Sequence, residues 1–208
     1  MDEFARLYDE LDKQCRYYCR HLGHLKGLIE NDDWIRVVDG STSGRVLLLG
    51  NSEITNALIL FNTRMFDTQT DTVTIHKLAS KLPTEKVIEK YHRNRMEEVG
   101  IRYELEAYFS ARSAFSKAKR ALRGNGTLEK LRPLRNHVLA HNIVQEIETE
   151  SATLNDLVEL TEAVNELVDL AGYIVTSTRS AYREFSSSAE KETRMLFAKL
   201  PALAAIEQ

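Results

Sequence analysis

The amino-acid sequence predicts an all-α protein, an up-and-down bundle of about five helices in one domain. Apolar residues recur at steps of three and four along most of the chain, which is the spacing of one helix face. Only three prolines and nine glycines occur in 208 residues, so few positions are predicted to break a helix. Contents of 43% hydrophobic and 28% charged residues are typical of a folded globular protein.

The first predicted helix occupies the N-terminal 30 residues. One apolar stripe runs along it at helical spacing, made of Phe4, Leu7, Leu11, Cys15, Tyr18, Leu22, Leu25 and Ile29. The polar residues that precede Trp34 predict the end of this helix. The segment from Trp34 to Gly44 has the composition of a loop, although Ile35–Val38 also fits a short strand.

The second predicted helix runs from about Arg45 to Phe66. Its inward-facing residues are predicted to include Leu48, Ile54, Leu58 and Phe61. After it, Thr74 is a predicted N-cap, because a threonine hydroxyl can accept from the first free backbone N–H groups of a helix. Pro83 is predicted to end the short helix that Thr74 begins.

The middle of the chain, from Thr84 to Arg123, fits either one long helix or two helices broken near Gly100. The sequence Gly-Asn-Gly at 124–126 then predicts a turn. Thr127 is a candidate cap for the next helix, with Pro133 in or near its first turn.

The last long helix is predicted to begin near Thr153, because Thr153 and Asp156 have the spacing of a capping box. Its predicted buried stripe consists of Leu157, Thr161, Val164, Val168, Ala171 and Val175. We assign residues 1–185 to one helical domain. Residues 186–208 are predicted to form a polar linker and a short C-terminal tail.

Charge is distributed unevenly, although the net charge is only −3. Residues Arg112–Arg135 contain eight Lys or Arg and one acid, whereas Glu146–Asp169 contains eight acids and no Lys or Arg. Two interpretations are open, and both can hold at once. The two blocks can lie on neighbouring helices with complementary faces, or the basic block can bind phosphate groups of a nucleic acid.

Composition also excludes several classes of protein. No apolar run approaches the ~20 residues that span a bilayer, and the acidic N-terminal sequence is unlike a signal peptide. Only two cysteines occur, so a disulfide framework is not expected. We therefore expect a cytoplasmic protein with no membrane association and no cofactor.

The sequence LRPLRNHVLAHN at 131–142 concentrates polar hydrogen-bonding groups among aliphatic residues. On a helix, Arg135 and His141 are about 9 Å apart along the axis and differ by ~120° in direction. Cleavage of RNA without a metal requires proton transfer and a cation on the phosphoryl oxygens. Histidine suits the proton transfer because its ordinary pKa is about 6.5, and the planar guanidinium of arginine suits the phosphate. Asn136 is placed to orient either group.

The form Arg-polar-x4-His near the end of an all-α domain resembles the signature of the HEPN superfamily. Upstream, NSEITNALILFNTRMFDTQTD resembles the helix ending in Arg-Leu-x-Asp in HEPN domains of abortive-infection phage-resistance proteins of the U type. The resemblance covers about residues 1–175. Three positions depart from the pattern of that subfamily: Asn136 and Asn142 replace Asp, and His137 replaces a basic residue.

The resemblance implies a HEPN-like bundle and a homodimer in which two copies of the motif helix face one cleft. It implies a metal-independent endoribonuclease of phage defence or toxin type, with RNA as its partner and an antitoxin or regulatory protein as a further one. The implied catalytic residues are Arg135, His141 and Asn136, and the predicted binding residues are His137, Asn142, Arg132 and Lys130. The alternative is a non-catalytic HEPN module that binds RNA, a nucleotide or a partner protein.

Other groups of polar residues have simpler interpretations. His137 and His141 have the spacing of zinc ligands but lack the glutamate of the HExxH arrangement. The Cys/His group at 15–24 overlaps the apolar stripe of the first helix, and its histidines are predicted to face solvent. We therefore expect no metal. Arg64 and Asp67 are a candidate buried pair, and the basic and aromatic residues at 91–95 are predicted to form a solvated helix face that is usable for base stacking.

Overall fold

The computed structural model describes residues 1–30, 42–67, 72–99, 104–123, 126–140 and 152–199. Within these ranges the chain forms eight helices and no strand. They are α1 (Asp2–Ile29), α2 (Thr42–Met65), α3 (Ile75–Ser80), α4 (Glu85–Val99), α5 (Leu105–Arg123), α6 (Thr127–Ala140), α7 (Leu154–Thr176) and α8 (Tyr182–Phe197). The possible strand at 35–38 lies outside the described residues. None of the described helices is both long and apolar enough to cross a lipid bilayer.

The predicted all-α class is confirmed, but the predicted number of about five helices is wrong. The region from Thr84 to Arg123 contains two helices, α4 and α5, which is the second of the two alternatives that the sequence left open. The residues after Phe185, which the sequence assigns to a polar linker, instead continue α8 as far as Phe197. The domain boundary at residue 185 itself stays a prediction.

Helix α8 forms because its polar sequence hides a narrow buried stripe. Tyr182, Ser186, Ala189, Thr193 and Phe197 are buried, and they recur at steps of three and four. Three of the five, Ser186, Ala189 and Thr193, are small, so an analysis based on large apolar residues does not detect the stripe.

Two predicted helix starts are confirmed by their capping hydrogen bonds. The hydroxyl of Thr74 accepts from the backbone N–H of Lys77 at 3.2 Å. At the start of α7, the N–H of Asp156 donates to the Thr153 hydroxyl at 3.1 Å, and the N–H of Thr153 donates to the Asp156 carboxylate at 2.8 Å. The N–H and the hydroxyl of Thr153 both donate to the Asp156 carboxylate and lower its pKa, with a smaller contribution from the charge of Lys130.

The chain divides into two compact units, each built from separated segments. The first consists of Met1–Cys15, Arg64–Asn125 and Glu162–Ser180. Its core contains fully buried side chains from the start of α1, from α3 to α5 and from the second part of α7, among them Phe4, Leu7, Leu11, Ile75, Leu78, Ile88, Phe115, Val164 and Val168.

Side chains from α4 and α5 cap the C-terminal end of α7 in this unit. His92 is fully buried, and its Nε2 donates to the carbonyl of Ile174 at 2.8 Å. Arg95 donates to the carbonyl of Val175 at 3.0 Å, and the hydroxyls of Tyr108 and Ser177 are 2.6 Å apart. Ser177 has a φ of 65°, the left-handed conformation that commonly ends a helix. His92 and Arg95 thus satisfy carbonyl groups at the end of α7 that have no partner within the helix.

The second unit consists of Arg16–Thr63, Gly126–Thr161 and Ala181–Gln208. In it, α1 and α8 pack closely through two glycines. A Cβ atom at Gly23 would overlap the carbonyl oxygen of Ser186, and one at Gly27 would lie 2.7 Å from the Cβ of Thr193. Close packing therefore requires glycine at both positions.

The N-terminal part of α2 exposes several apolar side chains. Leu58 and Phe61 are buried as predicted, but Leu48 is 47% exposed, so its predicted inward position is wrong. Val46 and Leu49 are also exposed. Leu47, rather than Leu48, packs against the buried pair Leu28 and Phe197.

Candidate functional site

Helix α6 carries the described part of the polar motif and lies in the second unit. The carbonyl of Gly126 accepts from the N–H groups of Glu129 and Lys130 at 3.1 and 3.2 Å, which forms the first turn. Pro133 lies inside the helix rather than in its first turn, so that prediction is wrong. Because proline has no N–H, the carbonyl of Glu129 loses the hydrogen bond that a helix would otherwise provide there.

One face of α6 is buried and the opposite side is polar. Thr127 and Leu131 are 7% and 1% exposed, and they lie four residues apart on one face. Arg132 and Asn136 are exposed, and they too lie four residues apart. Arg135 is half-buried and three residues after Arg132. Arg132 and Asn136 therefore lie on the exposed side of the helix, and Arg135, four residues after Leu131, lies at the edge of the buried face.

The structure brings together only some of the predicted site residues. Arg132 and Asn136 share the exposed side of α6, and Arg135 lies next to Arg132 at the edge of the buried face. Lys130 is half-buried and differs from Arg132 by about 200° around the helix, so it lies apart from them. Its charge instead contributes to lowering the pKa of Asp156.

The remaining predicted site residues cannot be placed with the others. His141 and Asn142 lie outside the described residues. Helix α6 includes the backbone of His137, whose side chain is outside the described part of the chain. The predicted roles of these residues stay predictions.

The predicted basic and aromatic face at 91–95 is wrong for two of its residues. His92 is fully buried and stacks on Tyr108 with a centroid distance of 3.8 Å. Burial lowers the pKa of His92, which keeps its ring neutral. Arg95 is bonded to the backbone of α7, and Arg93 is the exposed member of the group, 2.6 Å from the carboxylate of Glu89. This segment therefore stabilises the fold and does not offer a stacking surface for a base.

The Cys/His group on α1 is also structural. Cys15 and Cys19 are free thiols and fully buried, and burial raises the pKa of Cys19. His24 does not face solvent as predicted, because its Nδ1 is 2.8 Å from the hydroxyl of Thr193 on α8. Burial lowers its pKa despite the opposing effect of Glu192. Among the described residues, no group of three or more His, Cys, Asp or Glu could hold a metal ion.

The candidate pair Arg64 and Asp67 is not a buried pair. Arg64 is exposed, and the N–H of Asp67 donates to its backbone carbonyl at 3.1 Å. These residues end α2 with a turn. In this segment, which carries part of the sequence resemblance, the structure shows a helix end closed by a backbone turn and not a buried ion pair.

Comparison with known proteins identifies one family. The family model HEPN_AbiU2, described as AbiU2, matches residues 1–196. The match spans α1 to α7 and nearly all of α8. No curated protein and no solved structure matches the chain.

Proposed function

Since the chain belongs to the HEPN_AbiU2 family, we propose that it is a metal-independent endoribonuclease of phage-defence or toxin type. The family match confirms the resemblance that the two sequence segments carry, and it extends that resemblance from about residue 175 to residue 196. The chain is thus a HEPN module. The observation that most supports nuclease activity is the exposed pair Arg132 and Asn136 on α6, with Arg135 three residues after Arg132, in the same helix as the start of the motif.

The proposed reaction starts with the 2′-hydroxyl of the ribose that precedes the cleaved bond. A histidine removes its proton, and the oxygen attacks the adjacent phosphorus atom while the bond from phosphorus to the 5′-oxygen breaks. A second proton donor supplies a proton to that 5′-oxygen. The products are a 2′,3′-cyclic phosphate and a 5′-hydroxyl, so neither water nor a metal ion is consumed.

Each polar residue has a distinct proposed role in this reaction. Arg135 stabilises the negative charge that develops on the phosphoryl oxygens, for which a planar guanidinium with several donors is suited. Arg132 binds a neighbouring phosphate, and Asn136 orients the reacting group through its amide. His141 is the proposed general base or acid.

A homodimer solves a geometric difficulty in this proposal. If α6 continued as a helix to His141, the imidazole and the guanidinium of Arg135 would point in directions ~120° apart. Two copies facing a common cleft can combine Arg135 of one copy with His141 of the other. We therefore propose that each active site contains residues from both copies.

The nuclease activity is tested by incubating the purified chain with structured RNA in EDTA. The expected products end in a 2′,3′-cyclic phosphate, which a phosphatase that removes 3′-monophosphates leaves in place. Arg93→Ala is the matched control for Arg135→Ala, because Arg93 is exposed and lies outside the motif. Activity that requires Mg²⁺, or no cleavage by the unmodified chain, would contradict the proposal.

The shared active site is tested by mixing two inactive variants. A dimer of Arg135→Ala with His141→Ala contains one intact Arg135–His141 combination only if each site takes one residue from each copy. Mixing and re-equilibrating the two variants should then restore up to about half of the activity per mixed dimer. Failure to restore activity, with mixed dimers demonstrated by mass spectrometry, would place both residues of a site in one chain.

The alternative is a HEPN module that binds RNA, a nucleotide or a partner protein without cleaving it. Asparagine at 136, where the subfamily commonly has aspartate, favours this alternative because an amide cannot accept or release a proton in the reaction. RNA binding without cyclic-phosphate products, for both the unmodified chain and the His141→Ala variant, is the result that it predicts.

A further inference from the structure

Helix α1 exposes an aromatic ring at the surface of the second unit. Tyr17 is 62% exposed, and its ring centroid is 4.9 Å from that of Tyr18 and 5.0 Å from that of His21. The rings of Tyr18 and His21 are 5.5 Å apart, so the three rings form one aromatic cluster. All three residues belong to the second unit, which also contains α6.

The aromatic cluster is anchored in the core of this unit. Tyr18 is half-buried and stacks on Phe61 of α2, with a centroid distance of 4.4 Å and an angle of 28° between the ring planes. Phe61 itself is buried. The Nδ1 of His21 donates to the carbonyl of Tyr17 at 3.3 Å, which orients the imidazole beside the exposed ring. Because these contacts exist before a ligand binds, little entropy is lost when a ligand stacks on Tyr17.

The helix surface around the aromatic cluster is positively charged. From Arg16 to Ile29, α1 contains three Lys or Arg and no acid. Helix α8 packs on this part of α1 and contains three Lys or Arg and three acids, so it does not cancel the positive charge. The one ion pair printed between them, Arg20 with Glu192 at 3.6 Å, joins two side chains that are more than half exposed and is therefore weak. A positive surface of this kind attracts a polyanion.

We propose that Tyr17 stacks on an unpaired base of a single-stranded RNA. The choice of RNA rests on the proposed function. Proteins that bind single strands combine a positive surface with exposed aromatic rings, and stacking of this kind accepts every base because each has a π-face. The contact holds a single-stranded segment on the second unit and takes no part in proton transfer.

The test measures binding of fluorescently labelled single-stranded RNA to the His141→Ala protein in EDTA. In this background, Tyr17→Ala removes the ring, whereas Tyr17→Phe keeps the ring and removes only its hydroxyl. Phe185→Ala is the matched control, because Phe185 is an exposed aromatic residue on α8 in the same unit. Thermal unfolding of each variant verifies that the fold is retained.

Tyr17→Ala should weaken RNA binding by about fivefold or more. This expectation follows from a contribution of about 1–3 kcal/mol for one base stacked on an aromatic side chain, which corresponds to about 5–150-fold in Kd. Tyr17→Phe and Phe185→Ala should each change the Kd by less than about twofold, because neither removes the stacked ring. Unchanged binding in Tyr17→Ala, or an equal loss in Phe185→Ala, would overturn the proposal. So would a loss in Tyr17→Phe as large as that in Tyr17→Ala, since the hydroxyl would then carry the binding.

Abasic RNA of the same length separates stacking on a base from contact with the backbone. It keeps the phosphates and riboses but has no ring to stack, so the His141→Ala protein should bind it more weakly than normal RNA. Tyr17→Ala should then have little further effect on binding of the abasic RNA. An equal effect of Tyr17→Ala on both RNAs would show that Tyr17 contacts the backbone, and the stacking proposal would fail.

The same measurements separate this proposal from the nuclease proposal. If the unmodified chain cleaves RNA in EDTA but Tyr17→Ala binds RNA normally, only the stacking proposal fails, and the exposed ring is left for a protein partner. If Tyr17→Ala loses binding but the unmodified chain does not cleave RNA, the stacking proposal stands and the nuclease proposal fails.

Discussion

Helices α4 and α6 both carry arginine close to histidine in the sequence, but their described side chains have different surroundings. On α4, His92 and Arg95 donate to the carbonyls of Ile174 and Val175 at the end of α7. On α6, Arg132 and Asn136 are exposed, and Arg135 is half-buried beside them. His92 and Arg95 thus satisfy backbone carbonyls at the end of α7, whereas Arg132 and Asn136 lie at the surface. Burial and partners, rather than composition, distinguish a capping residue from a candidate site residue.

The largest expected effect is on activity and comes from the motif. Arg135→Ala should reduce RNA cleavage by about 10²–10³-fold, because it removes a donor to charge that develops in the transition state. His141→Ala should reduce it by about 10²–10⁴-fold, the usual contribution of a general acid or base. Single-turnover cleavage and thermal unfolding, measured on the same preparations, test both predictions.

The contrast between α4 and α6 would fail if Arg135→Ala lost RNA cleavage only because the variant unfolds. We expect substitutions at His92 to lower the unfolding temperature more than Arg135→Ala does, because His92 is fully buried and Arg135 is half-buried. A variant of Arg135 that unfolds as readily as a variant of His92 would assign Arg135 to the structural group.

The second prediction compares a glycine in a close helix contact with a glycine that has open space around it. Gly23→Ala should destabilise the protein by about 1–3 kcal/mol, because its Cβ would overlap the backbone of α8 and the helices must move apart. Gly50→Ala is the matched control within a helix, since in the described part of the chain no atom beyond its own helix backbone lies within 4 Å of its added Cβ. It should stabilise the protein by about 0.5–1 kcal/mol through helix propensity. Urea unfolding measures both changes, and equal effects of the two substitutions would disprove the close contact.

These glycines also show what the sequence could predict and what it could not. The stripe of α1 and that of α7 were predictable, because large apolar residues at helical spacing identify the buried face of a long helix. Helix α8 was not predictable in this way, since its contact with α1 is made by Ser186, Ala189 and Thr193 against glycines. Small residues give a weak periodic signal, and close packing depends on the partner helix.

The candidate site was predictable to a different degree. The residue types of the motif and their helical spacing led to Arg132, Arg135 and Asn136, of which Arg132 and Asn136 are exposed on α6. A surface pocket lined by Ala79, Leu82, Phe115, Ser116, Lys119 and Arg120 was not predictable, because Ala79 and Leu82 are far from Lys119 and Arg120 in the sequence and have no chemical signature. The basic block in the sequence indicated only that its cations could bind phosphate.

The third prediction concerns the pH dependence of stability. Burial lowers the pKa of His92 in the folded chain, so between the folded value and the unfolded value of about 6.5 the unfolded chain binds more protons. Stability should therefore be complete above about pH 6.5 and should fall as the pH decreases toward the folded pKa. The contribution of one histidine to this slope is at most about 1.4 kcal/mol per pH unit.

His92→Gln separates the titration of His92 from its capping hydrogen bond. The glutamine amide can still donate to the carbonyl of Ile174 but does not titrate in this range. We expect a lower stability at pH 8, through loss of the stacking on Tyr108, and a smaller loss of stability between pH 8 and pH 5.5. Urea unfolding at the two pH values provides the measurement. An unchanged pH dependence would mean that His24, whose pKa burial also lowers, accounts for the effect.

The smallest expected effects come from two arginines on α4 that differ in their partners. Arg95→Ala should cost about 1 kcal/mol, because it removes a half-buried donor and leaves the carbonyl of Val175 without that hydrogen bond. Arg93→Ala removes an exposed ion pair with Glu89 four residues away and should change stability by less than about 0.5 kcal/mol. High salt should reduce the effect of Arg93→Ala by screening its ion pair and should leave most of the effect of Arg95→Ala, which comes from a hydrogen bond to the backbone. If the two substitutions have equal effects in urea unfolding at low and high salt, Arg95 does not cap α7, and the contrast between α4 and α6 rests on His92 alone.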